Sequence, residues 1–225
     1  MEFYSKILSS DWLLVGNVAF VIALLRAVWT APWRAFVNNI EQVNVLIGLF
    51  LLLTALWLLP VGVRDGLKLH LLGASLCVLI FDWQIALVML STIMLVELWK
   101  YEHNLSVLGI YGMVMIVLPI MATRVFFSLF QRFGIKSYFS FIWWNGYVCG
   151  FLIMMLVGLI NGLLVWSLGQ YSWFTFKQDY LAFLPVLSSS ESVLTGAFIS
   201  GLAVFMPNAV AYFDQDIYFA KKPLV

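Results

Sequence analysis

Charge is the scarcest resource in this chain. Only 10% of its 225 residues are Asp, Glu, Lys or Arg, against about 25% in ordinary soluble domains. The formal net charge of +1 leaves neither a basic face for nucleic acid nor an acidic tail, so no nucleic-acid partner is expected. The two cysteines, Cys77 and Cys149, both lie inside apolar runs, where a thiol behaves as a small hydrophobe, so neither a disulfide nor a redox role is expected. Histidine occurs only at His70 and His103. With His70 alone at membrane depth, the chain lacks the paired histidines and carboxylate an intramembrane enzyme would need, and it is read as no enzyme. A phosphate-binding loop of the G-x-x-x-x-G-K-[ST] kind is absent as well, which excludes ATP hydrolysis by that route.

Apolar residues fill the space. They make up 64% of the chain, and the mean hydropathy of +1.01 lies far outside the range of soluble domains. The expected fold is all-α: a polytopic membrane bundle of about seven transmembrane helices, with residues 1–225 forming a single integral membrane domain. A crossing needs about 20 apolar residues, or fewer where the bilayer thins or neighbours shield the ends. The runs are 12–29, 43–63, 67–81, 85–99, 108–130, 139–168 and 187–212. Asn17 and Arg26 interrupt the first run and no small-residue cleavage site follows it, so it is kept as a retained span rather than a signal peptide. The third and fourth runs, joined by Asp82, Trp83 and Gln84, are each short and read as a tight helical hairpin. Pro119 is expected to kink its helix and to free a carbonyl that needs a local partner.

His70 is the leading candidate for a binding residue. An imidazole inside an apolar run must face water, find a hydrogen-bond partner or bind something, because leaving it unpaired in lipid costs several kcal/mol on the order of a buried polar group. Cys77 follows on the same helical face but about 10 Å along the axis, too far to share one ion unless the helix bends. His103, beside Glu102, reads as a surface histidine. Glu97 is either a proton or cation group or, the preferred reading, a snorkelling partner of Lys100. Glu191 follows Ser188, Ser189 and Ser190 and is expected to stabilise the N-terminus of its own helix. Arg26 and Arg124 are read as snorkelling.

Small residues at helical spacing offer packing surfaces. Gly146 with Gly150, and Gly158 with Gly162, permit close backbone approach. Ala19, Ala23 and Ala27 leave a flat stripe on the first span. Counting Lys and Arg near span ends places the C-terminus in the cytoplasm and the N-terminus outside, so that His70 opens outward.

The segment GLKLHLLGASLCVLIFDWQIALVML, residues 66–90, resembles the core of the CbiM/NikM family, the substrate-binding membrane subunits of energy-coupling factor transporters for cobalt and nickel. The family's histidine, small-residue patch and aromatic turn correspond to His70, to Gly73, Ala74 and Ser75, and to Asp82 with Trp83. YFSFIWWNGYVCGFL (138–152) and ESVLTGAFISGLAVFMPNAVAYFDQDIYF (191–219) resemble the same family, in a proteobacterial branch. Two departures stand out. Metal-binding members begin Met-His, and the resemblance implies that their amino terminus, that histidine and an internal histidine hold the ion. Here the start reads Met1, Glu2, Phe3, so only His70 carries over. The family's Asn-rich segment reads LGIYGMVM at 108–115.

The resemblance implies a multi-pass protein of the bacterial inner membrane that captures a solute, with Ni2+ or Co2+ as the possible cargo and no resident cofactor. It implies as partners the lipid bilayer, a coupling transmembrane subunit docked through the Ala19, Ala23 and Ala27 stripe, and ATP-binding subunits. The alternative is a membrane scaffold that kept the fold and lost its substrate, in which the stripe simply packs within the monomer.

Overall fold

The computed structural model describes residues 10–59, 71–101, 105–133, 137–167, 169, 172–214 and 218, the side chain of Thr175 excepted. Helices account for the architecture: α1 (Ser10–Thr30), the short α2 (Trp33–Asn38), α3 (Ile40–Trp57), α4 (Ala74–Lys100), α5 (Leu105–Phe133), α6 (Tyr138–Ser167) and α7 (Phe176–Phe205). Among the described residues six of them, all but α2, are long and apolar enough to cross a membrane.

Local chemistry places the helix ends. Pro32 closes the break after α1, and the Asn39 side chain accepts from Gln42 N at 3.2 Å to cap α3, with Glu41 in the first turn. Asn17, polar in the middle of an apolar run, bridges to the start of α5. Its Nδ2 donates to Ser106 O at 2.9 Å and its Oδ1 accepts from Gly109 N at 2.7 Å. A Cβ on Gly109 would overlap the Asn17 backbone, so only glycine lets α1 and α5 come this close.

α4 lies at the centre and is folded in two. Straight, its 27 residues would run for ~40 Å, yet its contacts with α3 forbid that. Gly73, just before α4, sits against Leu53. Ile80 O accepts from Gln42 Nε2 at 3.3 Å, and both Lys100 Nζ and Tyr101 Oη reach Leu58 O, at 3.4 and 2.8 Å. Going along α4, the chain therefore descends from the level of Leu53 to that of Gln42 and climbs back to that of Leu58. The reversal is made at Asp82, the one described non-glycine residue with positive φ, at φ 63° and ψ 173°.

The tight hairpin expected from the sequence is present, with a turn of a single residue. Its first arm enters the description only from residue 71, and its helical part, 74–81, reaches ~12 Å. Among the described residues the expected count of about seven spans becomes six long helices, one of them doubled back. Interrupting a helix strands its last carbonyls. Here Ile80 O is taken by Gln42 and by Ala211 N at 3.0 Å, and Leu79 O by Tyr212 N at 3.2 Å.

Pro119 sits two residues after a wide turn at Met113–Val117, where the backbone bonds skip an extra residue. Its own carbonyl accepts from Thr123 Oγ1 at 2.7 Å. Similar wide turns occupy Ile142–Val148 in α6 and Phe176–Leu181 at the head of α7.

Candidate functional site

The start of the hairpin's first arm is held by a carboxylate from the last helix. Glu191 Oε2 accepts from Leu72 N at 2.9 Å and Oε1 from Gly73 N at 2.8 Å, and both Glu191 and Leu72 are 1% exposed. The physical reason is the shortage of acceptors at any helix start: the first N–H groups of the arm have no carbonyl behind them, and an anion is favoured at that end. Charge-assisted bonds of this kind are among the stronger ones. Gly73 takes φ +64° here, and a Cβ would run into Leu53, so glycine is required for both backbone and space.

This corrects the expectation for Glu191. It does stabilise a helix start, but that of α4, not of α7. Within α7 it lies in the interior, and the three serines before it do not cap: Ser188, Ser189 and Ser190 hydrogen-bond back to Leu184, Pro185 and Val186 carbonyls at 2.8, 2.8 and 3.2 Å.

Beside this clamp runs a buried polar seam. Ser75 and Thr123 hydroxyls are 3.2 Å apart, at 1% and 0% exposure. Cys77 and Cys149 are buried free thiols, as expected of small apolar residues. Asn145, in the wide turn of α6, is fully buried and neither of its side-chain polar atoms has a hydrogen-bond partner among the described residues. Thr195 Oγ1 is in the same state. Asparagine at membrane depth is the sequence signal for this position.

A family model described as the cobalt uptake substrate-specific transmembrane region, CbiM, matches residues 4–209. The chain belongs to the CbiM family. That makes it a multi-pass membrane component of cobalt uptake, of a family of transporter components rather than enzymes. No curated protein matches the sequence.

In this CbiM-family chain the other residues singled out from the sequence fall as follows. His70 and His103 lie outside the described residues, as do Met1, Glu2 and Phe3. Among the described residues no three His, Cys, Asp or Glu side chains lie close enough together to hold a metal ion. Ala27 is wholly buried and Ala23 is packed against the core, while Ala19 is half-buried. The stripe thus turns inward, and Trp12, Val18, Ile22, Leu25 and Trp29 form the exposed face of α1. The four glycines all face α7. A Cβ on Gly146 would stand 3.0 Å from Gly196 Cα, one on Gly150 would stand 3.2 Å from Glu191 O, and Gly158 and Gly162 meet Leu184 and Tyr180. Gly150 thereby brings α6 against the very turn of α7 that carries Glu191.

Glu97 also departs from expectation. It is 8% exposed and accepts from Tyr111 Oη at 3.4 Å, whereas Lys100, three residues on and exposed, reaches Leu58 O instead. Arg26 and Arg124 meet at the hairpin's tip, 6.0 and 5.4 Å from the ring centre of Trp83, and Arg124 Nε is 3.7 Å from Asp82 Oδ1.

Proposed function

We propose that this chain is the solute-capture membrane subunit of an energy-coupling factor transporter, taking a transition-metal cation of the cobalt or nickel kind at the stretch of sequence that carries His70. The observation that carries this reading is the fate of the chain just after that histidine. Leu72, two residues on, is buried at 1% exposure, and the arm it starts is folded back through the middle of the bundle. A segment that passed over the surface would have its backbone in water; this one is delivered to the interior, where a solute can be enclosed. The family match over residues 4–209 supports the same reading.

The hairpin supports one orientation. Its tip shares one end of the bundle with Arg26 and Arg124, and the start of α2 and the end of α5 there bring Arg34 and Arg132. Among the described residues the opposite end has Lys100 and Lys177. The richer end is cytoplasmic by the positive-inside rule, so the arm's other end opens to the outer compartment. Energy for uptake comes from a coupling transmembrane subunit and ATP-binding subunits.

The test is uptake of nickel or cobalt into membrane vesicles holding the chain with its partners, comparing the native chain with His70→Ala. Uptake that falls in the variant supports the metal site, and equal uptake removes it. Purification without any ATP-binding pair would favour a scaffold role.

A further inference from the structure

The flank where α6 begins and α7 ends carries a groove. It holds about 490 Å³, is open on one side, and is lined by Tyr138, Phe139, Ile142, Trp143, Tyr147 and Ser200. That volume falls within the range of about 300–1,000 Å³ usual for small-molecule sites. The backbone shapes it in two ways. The wide turn Ile142–Val148 supplies Ile142, Trp143 and Tyr147, and turns of this kind are frequent at functional sites. Opposite, Gly196 leaves room for the Tyr147 ring, three atoms of which lie 2.6 Å from where a Cβ would stand. Two bonds tie the walls together: Tyr138 Oη donates to Ser200 O at 3.3 Å, and Ser192 Oγ donates to Tyr147 O at 2.7 Å.

The groove is graded along its length. Its shallow end has the Tyr138 hydroxyl, Ser200 and the first turn of α6, and its deep end, ~13 Å further along α6, has the Tyr147 ring. Phe139 and Trp143 stand outward, at 83% and 61% exposure. Both helices are long and apolar enough to cross a membrane, so the open side faces acyl chains, with Tyr138 at the level where the span begins. Tyrosine and tryptophan suit that level, being apolar in the ring and polar at the tip. The matching occupant is an amphiphile. Charge selects its head: Tyr138 packs against Phe213, next to Tyr212 at the hairpin's tip. Among the described residues that end carries Arg26, Arg34, Arg124 and Arg132 against the carboxylates of Glu41, Asp82 and Asp214, and the positive end of the α6 dipole lies there as well.

We propose that the α6–α7 groove binds one anionic phospholipid, an acyl chain lying along Trp143 toward Tyr147 and the headgroup at Tyr138 and Ser200. This needs only the membrane setting and is independent of the capture reading. The lipid braces the two helices. Tyr147 also receives the bond from Ser192, the neighbour of Glu191, so packing against the Tyr147 ring steadies the turn of α7 that holds Leu72 and Gly73.

The test is native mass spectrometry of the purified full-length chain in detergent with added dioleoyl phosphatidylglycerol or dioleoyl phosphatidylcholine, and thermal melting alongside. The native chain is expected to retain a single phosphatidylglycerol in preference to phosphatidylcholine, and to melt higher with it. Ser200→Leu fills the mouth and Trp143→Ala removes a wall, and each is expected to weaken phosphatidylglycerol retention by about tenfold or more. Phe205→Ala removes an 84% exposed ring of α7 that does not line the groove, and is expected to leave retention unchanged.

Equal retention of the two lipids, retention of neither, or an equal loss in Phe205→Ala overturns the proposal. Should Ser200→Leu fail to fold, Trp143→Ala carries the test, and native-like retention in it counts against the groove. The competing occupant is a helix of the coupling subunit: a Trp143→Cys chain that cross-links to that subunit in the assembled transporter, with no phosphatidylglycerol retained, overturns the lipid assignment.

Discussion

Tyr212 donates its phenolic hydrogen to Asp82, the residue at which α4 folds back, from 130 positions further along the chain. The same carboxylate accepts from Trp83 N at 2.7 Å, and the Tyr212 ring stacks on Phe127 with centroids 4.3 Å apart. One side chain thus caps the second arm and ties the hairpin's tip to the segment beyond the last helix. The backbone at Asp82 lies in a region that glycine alone adopts easily, at a cost of order 1–3 kcal/mol. Asp82→Gly relieves this while losing the cap, and Asp82→Ala loses the cap with no relief. Unfolding followed in detergent is expected to show the alanine chain less stable than the glycine chain by about 1 kcal/mol.

Tyr212 also gives a pH signature. Burial first, and then the neighbouring Asp82, raise its phenol above the ordinary value of 10.0. A raised acid holds its proton more tightly in the folded chain than in the unfolded one. Its contribution is therefore complete below pH 10 and is lost as the pH rises further. Stability is expected to decline from about pH 10 upward, and Tyr212→Phe to flatten that decline at the alkaline end; an identical alkaline limb in both chains would refute the assignment.

Two glycines in the outer helices make a matched pair. Gly48 in α3 has nothing within 4 Å of where a Cβ would stand, whereas the same atom on Gly109 would overlap the backbone of α1. Gly48→Ala is expected to leave stability unchanged or raise it by up to about 1 kcal/mol through helix propensity. Gly109→Ala is expected to lower it by roughly 1–3 kcal/mol, because the two helices must part. Thermal melting of both chains in one detergent checks the contrast.

Asn145 and Thr195 carry buried polar atoms with no partner among the described residues. Each unpaired group costs about 1–3 kcal/mol, so the near-isosteric Asn145→Leu and Thr195→Val are expected to raise the unfolding midpoint. A drop in stability in either would show that the native group is satisfied by a bound molecule.

The hairpin turn was legible because Asp82, Trp83 and Gln84 are the only break between two short apolar runs, and nothing but a turn fits there. The glycine positions were legible as a pattern, since spacing along a helix reports which residues share a face. What that face meets was not. Ala19, Ala23 and Ala27 share a side of α1, but only the neighbours of α1 decide that Ala27 is buried and Trp29 is exposed. Glu191 was misplaced for a related reason. Three serines before an acid read as a helix start in linear order, and the groups that it actually serves, Leu72 and Gly73, belong to another part of the chain.

By itself the sequence determined the solvent and the class: so little charge and so much apolar surface can only be accommodated by helices in a bilayer, where every backbone group must be satisfied within its own segment. Tertiary structure alone decided where that rule is broken and mended. At the two ends of the hairpin's first arm the ladder is interrupted, and the stranded N–H and C=O groups find Glu191, Gln42, Ala211 and Tyr212. Those partners are fixed by how the helices pack, which local spacing does not encode.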